Sequence, residues 1–265
     1  MDDEPVSRKR SRDDTSSSES CVGSQVVGSA ALGESQIQRD KSASACLRKG
    51  MVILRKFLPE EKQAELAAHV GRLGELQHGG FYSCNSEKTK HMRMMNLGLN
   101  TNGKKHALEI PPAWKEFALR ACRLAIEMDP SIPVLRPDIC VVNHYTAASR
   151  LGWHQDLFSS RDPGVPVISF SLGQPATFQY KASWKKSAAV KSVRLESGDA
   201  LIFGGRSRGI IHGVPQIDAA VTPAVPATSN SPAEKAEGCG GSDAGLPNRC
   251  VVPDGGRFNL NFREL

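Results

Sequence analysis

The segment RLGWHQDLFS, residues 150–159, places a histidine and an aspartate two positions apart, at His154 and Asp156. Residues i and i+2 of a strand point to the same side, so at a strand end an imidazole nitrogen and a carboxylate oxygen would converge on one point. Two such groups are half or more of a metal site. An HxD pair also occurs by chance, so the interpretation depends on a third ligand from elsewhere in the chain.

His212 is the strongest candidate for that ligand among the seven histidines. It lies near the end of the β-prone run ALIFGGRSRGIIHGV and precedes a glycine. If the β-rich region closes into a double-walled barrel, His154, Asp156 and His212 would present two imidazoles and one carboxylate to one metal ion. This set leaves positions open for a co-substrate and O₂ and is typical of non-haem Fe(II) oxygenases. The alternative is that His212 is an ordinary core or surface histidine.

The C-terminal segment RFNLNFREL alternates strictly between apolar and polar residues, as a strand with two different faces does. The apolar face holds Phe258, Leu260 and Phe262, and the polar face holds Arg257, Asn259, Asn261 and Arg263. If the polar face looks into a barrel, its guanidinium groups are desolvated and need anions. A small dicarboxylate would supply one anion and Asp156 a second. Arginine suits both, because its planar guanidinium can bind the two oxygens of a carboxylate at once. The alternative is a polar face that is simply solvated.

Asn143 and Tyr145, in the segment VVNHY, share a strand face by the same period of two. Both side chains could hydrogen-bond the same anion. An iron triad and an anion clamp would then form one site from four separated segments, and this combination indicates a site more strongly than any one segment does.

The elements that must position these residues are short strands with two helices before them. GMVILRKFL, 50–58, predicts a first strand, and Pro59 followed by two glutamates predicts the start of a helix. PPAWKEFALRACRLAIEM predicts a second helix with an apolar stripe, and 77–110 is interpreted as loops and a short hairpin. From residue 138 onward, short β-prone segments separated by Gly, Pro, Ser or Asp predict a sandwich or barrel of antiparallel strands.

The bulk composition sets limits on the class of protein. The 265 residues are 39% hydrophobic and carry a net charge of +6, which permits contact with a polyanion without requiring it. The seven cysteines are scattered and form no CxxC pair, which argues against a disulfide framework and for a reducing compartment. No apolar run approaches the roughly 18 residues of a membrane helix. We therefore expect no membrane partner.

The folded domain is predicted to span 47–265, with a tail before it and one flexible insertion within it. Residues 1–46 are rich in serine and charge, contain no aromatic residue and are expected to be disordered. Their RKRSR run is either a nuclear import patch or a solvated basic stretch, and we expect the protein in the nucleus and cytoplasm. Residues 219–248 form an Ala/Pro/Ser/Gly-rich insertion, expected to be a flexible surface loop.

The combined motifs resemble those of the AlkB family of Fe(II)- and 2-oxoglutarate-dependent dioxygenases over roughly residues 50–265. The family pattern N-x-Y, H-x-D, distal H and R-x-N-x-[TS]-x-R stands here as NHY, HQD, His212 and RFNLNFR, with Asn261 in place of the usual Thr or Ser. The segments GGFY, MRMMNLG and ESGDALIFGGRSR are most similar to AlkB homologues of plants and algae.

This resemblance implies a fold, a set of cofactors and a reaction. The fold is mainly β with flanking helices (α+β), a double-stranded β-helix or jelly roll. The implied Fe(II) ligands are His154, Asp156 and His212. The far end of 2-oxoglutarate would be bound by Arg257, Asn143, Tyr145 and Asn259, while Arg263 braces the metal side. With O₂, such an enzyme oxidatively demethylates N-methylated nucleobases and releases formaldehyde, succinate and CO₂.

The resemblance also implies a nucleotide-recognition lid before the jelly roll, at 80–110. Phe81 and Tyr82 are candidates to stack on a base, and Lys88, Lys90 and Arg93 are candidates to contact phosphates. Simple packing beneath the lid is the alternative for the two aromatic residues. A second basic stretch, YKASWKKSAAVKSVR at 180–194, is interpreted as a solvated hairpin in preference to a phosphate contact.

The expected partner is therefore methylated DNA or RNA, and the expected state is a monomer. Two other functions stay open: an oxygenase of the same chemistry acting on a protein, and a catalytically inactive nucleic-acid-binding homologue. The presence of all three candidate ligands and both arginines argues against the inactive form.

Overall fold

The computed structural model of the protein describes residues 44–159, 162–218, 250 and 252–265. The segment expected to be disordered, 1–46, lies outside the described residues up to residue 43, and the first strand already begins at Ala45. The insertion at 219–248 lies wholly outside them.

Both helices begin where their prolines and first-turn residues predict. Helix α1, Glu60–Gly74, follows Pro59 and carries two glutamates in its first turn, where acidic side chains favour the helix dipole. Helix α2, Pro112–Met128, follows Pro111 and has a proline in its own first turn. Each helix buries one apolar stripe. No helix within the described ranges is long and apolar enough to cross a membrane.

The remaining elements are strands that pair antiparallel in one curled sheet. They are β1 (Ala45–Arg48), β2 (Met51–Leu54), β3 (Tyr82–Cys84), β4 (Thr89–Gly98), β5 (Ile139–His154), β6 (Val167–Gly173), β7 (Ala176–Lys181), β8 (Lys191–Leu195), β9 (Ala200–Phe203), β10 (Ile211–Val214) and β11 (Arg257–Arg263). The order across the sheet is β1-β2-β9-β6-β11-β5-β10-β7-β8, with the β3–β4 hairpin joined to β5.

Strand β5 is the element that connects the two halves of the sheet. Its first half pairs with β11 and its last residues pair with β10, while β4 runs along the other edge of β5. One strand therefore carries both the segment VVNHY and the histidine of the HxD pair. The predicted jelly roll is confirmed by this curled antiparallel sheet with its two helices.

The interpretation of 77–110 as loops and a short hairpin was wrong in one respect, because β4 is ten residues long. Its pattern is hidden by an irregularity between Lys90 and Met92, where His91 has a positive φ of 50°. In addition, Met92 and Met95 are buried in two different apolar clusters, so β4 buries residues on both faces and its buried residues do not recur every second position.

The polar face of β11 lies between two apolar cores. The first packs the helices against one face of the sheet and includes Phe258, Leu260 and Phe262 of β11. The second lies within the curl and includes Phe178 and Phe203. Since the residues of β11 alternate, its polar face points away from the helices and into the curl.

Candidate metal centre and co-substrate pocket

The three candidate metal ligands lie together at one point of the curled sheet. His154 is the last residue of β5, and its direct cross-strand partner on β10 is His212. The imidazole centroids are 4.2 Å apart, and Nε2 of His212 is 3.7 Å from Oδ2 of Asp156. One ligand atom from each of the three residues lies within 4.8 Å of the others. The structure thus brings the His154–Asp156 pair together with His212, which lies 56 positions beyond Asp156, 212 minus 156.

Backbone carbonyl groups orient both imidazoles. Nδ1–H of His154 donates to the carbonyl oxygen of Gly152 at 2.9 Å, and Nδ1–H of His212 donates to that of Ile210 at 3.3 Å. A carbonyl oxygen only accepts, so the proton lies on Nδ1 and the lone pair on Nε2. A metal-binding histidine is commonly fixed in this way by a hydrogen bond from its other ring nitrogen.

The surroundings keep the ligands in the protonation states that metal binding requires. Burial lowers the pKa of His212 to about 4, so this imidazole is neutral at neutral pH. Burial acts to raise the pKa of Asp156, but Arg263 and the two histidines outweigh it and hold the pKa below its usual value. Nη2–H of Arg263 donates to Oδ1 of Asp156 at 2.8 Å. A neutral imidazole at His212 and an ionised carboxylate at Asp156 are the forms in which these groups bind Fe(II).

Among the residues that the structure describes, Arg257 is the largest side chain that is fully buried. It donates from Nη1 to the carbonyl oxygen of Gln174 at 3.0 Å and from Nη2 to Oγ of Ser171 at 2.6 Å. Its Nε is buried and has no hydrogen-bond partner among the described residues. Burial lowers the pKa of Arg257 to about 10, which leaves the guanidinium charged at neutral pH. A charged group without a carboxylate partner at this depth is suited to bind an anion.

Two further polar atoms face the same cavity without a hydrogen-bond partner among the described residues: Oη of Tyr145 and Oδ1 of Asn143. Burial raises the pKa of Tyr145, so its phenol stays protonated and can donate a hydrogen bond. Buried polar atoms rarely remain unsatisfied in proteins. The Tyr145 phenol and the guanidinium of Arg257 can both donate to a small anion such as the remote carboxylate of 2-oxoglutarate, whereas Oδ1 of Asn143 can only accept a hydrogen bond.

The amides of β11 form a short hydrogen-bonded chain. Nδ2 of Asn259 donates to Oγ of Ser169 at 2.7 Å and to the carbonyl oxygen of Phe170 at 3.0 Å. Nδ2 of Asn261 donates to Oδ1 of Asn259 at 2.8 Å. The residue that replaces the family's usual Thr or Ser therefore keeps a hydrogen bond, and it fixes Asn259.

The candidate ligands and the polar face of β11 line one narrow cavity. Its lining consists of Asn143, Tyr145, Leu151, His154, Asp156, Ser169, Phe178, Leu195, Phe203, His212, Val214, Arg257, Asn259, Asn261 and Arg263. Every residue predicted to hold Fe(II) or 2-oxoglutarate is in this set. Their individual roles stay predictions, but the geometry places all of them around one space.

The sequence reasoning missed residues that support this cavity. Ser169 and Ser171 of β6 hold Asn259 and Arg257, and their signal was the alternation of serine with large apolar residues in PVISFSLG. Arg208 is 2% exposed and donates from Nε to the carbonyl oxygen of Val165 at 2.9 Å. Its terminal nitrogens donate to the carbonyl oxygens of Asp156 and Leu157. Arg208 thus fixes the backbone of the candidate metal ligand Asp156, which no sequence pattern indicated.

A second cavity, of about 230 Å³, lies beside the first, and Arg263 lines both. It is bounded by the residues after Asp156, by the end of β4 and the loop that follows, and by the C-terminus. Its lining is Asn96, Leu99, Asn100, Thr101, His106, Ile139, Val141, Leu157, Phe158, Arg263, Glu264 and Leu265.

The five residues predicted to contact nucleic acid line neither cavity. Phe81 is half-buried and packs against His144 and Phe258, with centroid distances of 5.4 and 5.7 Å, and Arg93 lies over its ring. This position favours packing for Phe81. Tyr82 is 46% exposed and accepts a hydrogen bond from Asn96.

The two lysines of this set lie on or beside β4. Lys88 is exposed, and Lys90 is half-buried opposite Arg150 of β5. A phosphate contact by these lysines or by Arg93 stays a prediction.

Comparison with known proteins agrees with this geometry. Residues 50–263 match the family model of the 2OG-Fe(II) oxygenase superfamily. The chain is 36% identical over 198 residues to DNA N(6)-methyladenine demethylase ALKBH1C of Arabidopsis thaliana, covering 64% of this chain and 43% of that protein. It is 37% identical over 114 residues to alpha-ketoglutarate-dependent dioxygenase AlkB of Escherichia coli, covering 43% of this chain and 50% of that protein. The chain thus spans about half the length of these relatives, or less.

A solved structure gives the same family. The structure of OsALKBH1 superposes with a TM-score of 0.67 at 31% identity, covering 84% of this chain and all of that chain. Enzymes of the matched superfamily use Fe(II) with 2-oxoglutarate and O₂ as co-substrates, and the donor set described above fits both groups. The chain belongs to the 2OG-Fe(II) oxygenase superfamily and, within it, to the AlkB family.

Proposed function

We propose that this protein oxidatively demethylates N-methylated nucleobases in DNA or RNA, using Fe(II), 2-oxoglutarate and O₂ and releasing formaldehyde, succinate and CO₂. The observation that carries this proposal is the meeting of the His154–Asp156–His212 triad and Arg257 in one cavity. The names of the Arabidopsis relatives favour DNA as the first substrate to test.

In this proposal, each side chain has a positioning or binding role. The triad holds Fe(II), which supplies the activation of O₂ that no amino-acid side chain can provide. Arg263 fixes one oxygen of Asp156 and leaves the other for the metal. Arg257 and the Tyr145 phenol bind the remote carboxylate of 2-oxoglutarate, so that its other end can reach the metal.

The apolar side chains around His212 exclude water from the centre. Phe178 stacks on the His212 ring at 5.2 Å, and Phe203 meets the same ring edge-on at 5.2 Å. These contacts also restrict the ring to one orientation. A dry, fixed site protects a strong oxidant from side reactions with solvent.

The second cavity is the proposed place for the methylated base. Its volume of about 230 Å³ is below the roughly 300–1,000 Å³ of pockets for drug-sized ligands, which suits a single base. Asn96 and His106 offer hydrogen-bonding groups for a base edge, while Leu157 and Phe158 offer apolar surface. A base can enter such a cavity only when it is flipped out of a duplex or already unpaired.

Two other functions remain as alternatives. An oxygenase of this fold acting on protein would turn over a methylated or unmodified peptide and leave methylated oligonucleotides unchanged. A catalytically inactive nucleic-acid-binding homologue would bind oligonucleotides without any conversion of 2-oxoglutarate. The intact triad and the buried Arg257 argue against the inactive form.

The proposal also covers the oligomeric state and the subcellular location of the protein. We propose a monomer, which light scattering of the purified chain would test. We also propose a nuclear and cytoplasmic location, and imaging of a fluorescent fusion with and without RKRSR would test that import patch.

The direct experiment is a screen of methylated DNA and RNA oligonucleotides by mass spectrometry, with succinate and formaldehyde measured in the same reactions. Loss of one methyl group should accompany formation of one succinate. Asp156→Ala should abolish both, while Glu65→Ala, which removes an exposed carboxylate from α1, should change neither. Succinate formation with a peptide but with no methylated oligonucleotide would overturn the proposal.

A further inference from the structure

The hairpin that joins β7 to β8 carries a concentrated positive charge and an exposed indole. Residues 180–192 contain four lysines and no acidic residue. Trp184, in the turn, is 57% exposed, and Lys185 and Lys186 beside it are exposed as well. A large apolar ring in water is unfavourable, and a solvated hairpin does not require one. The exposed tryptophan among lysines therefore indicates a binding surface.

Cation–π contacts connect this hairpin to the strand that bears the first metal ligand. Nζ of Lys181 lies 4.8 Å from the centroid of Trp153 and 5.9 Å from that of Trp184. Trp153 directly precedes His154, and its ring contacts Lys181, which lies on the face of β7 opposite the inner-core residue Tyr180, so the ring is on the outer face of the sheet. We call Trp153, Lys181, Trp184, Lys185 and Lys186 the aromatic–basic ridge.

The ridge lies close to the metal centre on the outside of the same strands. Tyr180, next to Lys181, is the cross-strand partner of His212. On the other side of Trp153, Lys90 and Arg150 face each other across β4 and β5 and extend the positive surface. In the part of the chain that the structure describes, no carboxylate pairs with a lysine of the ridge. The positive charge is therefore available to a partner.

We propose that the aromatic–basic ridge binds the unpaired nucleotides that flank the methylated base in single-stranded DNA. This inference rests on the proposed function. An indole stacks on any unpaired base, and lysines contact the phosphates that follow it along the strand. A duplex hides its base faces, so the exposed Trp184 favours a single strand. A bound flank would leave the methylated base close to the triad, as the ridge and the ligands share β5.

The first test is binding of a fluorescently labelled single strand to the full chain without 2-oxoglutarate, so that no turnover occurs. Stacking on one base accounts for about a 5- to 150-fold difference in affinity, and Trp184→Ala should weaken binding within that range. Trp184→Phe should keep most of the affinity because it keeps a ring. The double variant Lys185→Ala, Lys186→Ala should reduce the magnitude of the slope of log K against log salt concentration by about 1.4. Lys62→Ala with Arg72→Ala, which removes two cations from α1, is the matched control and should leave binding unchanged.

The second test separates the ridge from the reaction. For a methylated strand of about 20 nucleotides, Trp184→Ala should raise KM as much as it weakens binding and leave kcat unchanged. For a methylated trinucleotide, which cannot reach the ridge, the variant should behave like the wild type. In the wild type, a single strand should also quench the fluorescence of the exposed indole, and Trp184→Phe should remove much of that quenching.

The possible outcomes distinguish the ridge from the proposed function. If Trp184→Ala has the wild-type affinity and KM, the ridge does not bind the strand, and the proposed demethylase activity is unaffected. Binding that depends on Trp184 in a protein that demethylates no oligonucleotide would support the ridge and remove the proposed function. Tighter Trp184-dependent binding to RNA, to duplex DNA, to an acidic peptide or to anionic phosphatidylserine vesicles would show that the partner is not single-stranded DNA.

Discussion

Arg257→Lys should raise the KM for 2-oxoglutarate strongly while leaving metal binding unchanged. The lysine keeps a positive charge but loses the planar fork. In the structure, Nη1 and Nη2 of Arg257 are held by the carbonyl oxygen of Gln174 and Oγ of Ser171. A single ammonium group cannot reach both of these partners and a carboxylate as well.

The size of the effect follows from the hydrogen bonds that are lost. A hydrogen bond to a charged group contributes about 1.5–3 kcal/mol. Losing one such bond from the bound co-substrate corresponds to about a 10- to 150-fold increase in KM. The kcat at saturating 2-oxoglutarate should change little, because an interaction made equally in the ground state and the transition state affects KM alone.

The assay is succinate formation as a function of 2-oxoglutarate concentration, with thermal unfolding as the check that the variant is folded. Ser171→Ala is the matched control, because it removes a neutral support of Nη2 and leaves the guanidinium in place. Since no bond to the co-substrate itself is lost, its KM should rise by less than the roughly 10-fold lower bound expected for Arg257→Lys. A folded Arg257→Lys protein with a KM within twofold of the wild type would refute the assignment of Arg257 to the co-substrate.

Three further substitutions test other parts of the site and fold by urea unfolding. Arg263→Leu leaves the buried carboxylate of Asp156 unpaired and should lower the free energy of unfolding of the metal-free protein by about 3 kcal/mol, of which added metal restores part. Stability unchanged by this variant would mean that the ion pair is not formed. Phe81→Ala should lower the free energy of unfolding by about 2–3 kcal/mol, since the ring is only partly buried. Unchanged stability with a raised KM for oligonucleotides would instead favour base stacking by Phe81. Gly50→Ala should cost more than about 1 kcal/mol, because φ is +81° and a Cβ would lie 2.2 Å from the carbonyl oxygen of Gly204, so a neutral result would contradict this turn geometry.

The site was predictable from sequence wherever a strand period fixed the direction of a side chain. The alternation of RFNLNFR placed Arg257 and Asn259 on one face, and the structure has that face inside the curl. The HxD spacing likewise predicted that His154 and Asp156 point to one place, and the structure has both lining the same cavity at or just after the end of β5. Both inferences depend only on local geometry, which the sequence encodes directly.

The parts that were missed depend on long-range packing or on irregular backbone. The length of β4 was hidden because its backbone is irregular at His91 and because it buries Met92 and Met95 in two different apolar clusters. Arg208 is buried through contacts with carbonyl groups of a distant loop, and its neighbours in sequence give no sign of this. The ridge contact of Lys181 with Trp153 joins residues 28 positions apart, 181 minus 153, on strands that are not adjacent in sequence.

The central claim is that His154, Asp156 and His212 hold one metal ion. Calorimetric titration of the metal-free full chain with Fe(II) under anaerobic conditions tests it most directly. The wild type should bind one ion per chain, and alanine at any one of the three positions should weaken binding by at least about 100-fold, since even changes behind the ligands cost 10- to 100-fold. His78→Ala, which removes an exposed histidine outside the site, should bind like the wild type. Wild-type affinity in any of the three ligand variants would contradict the account.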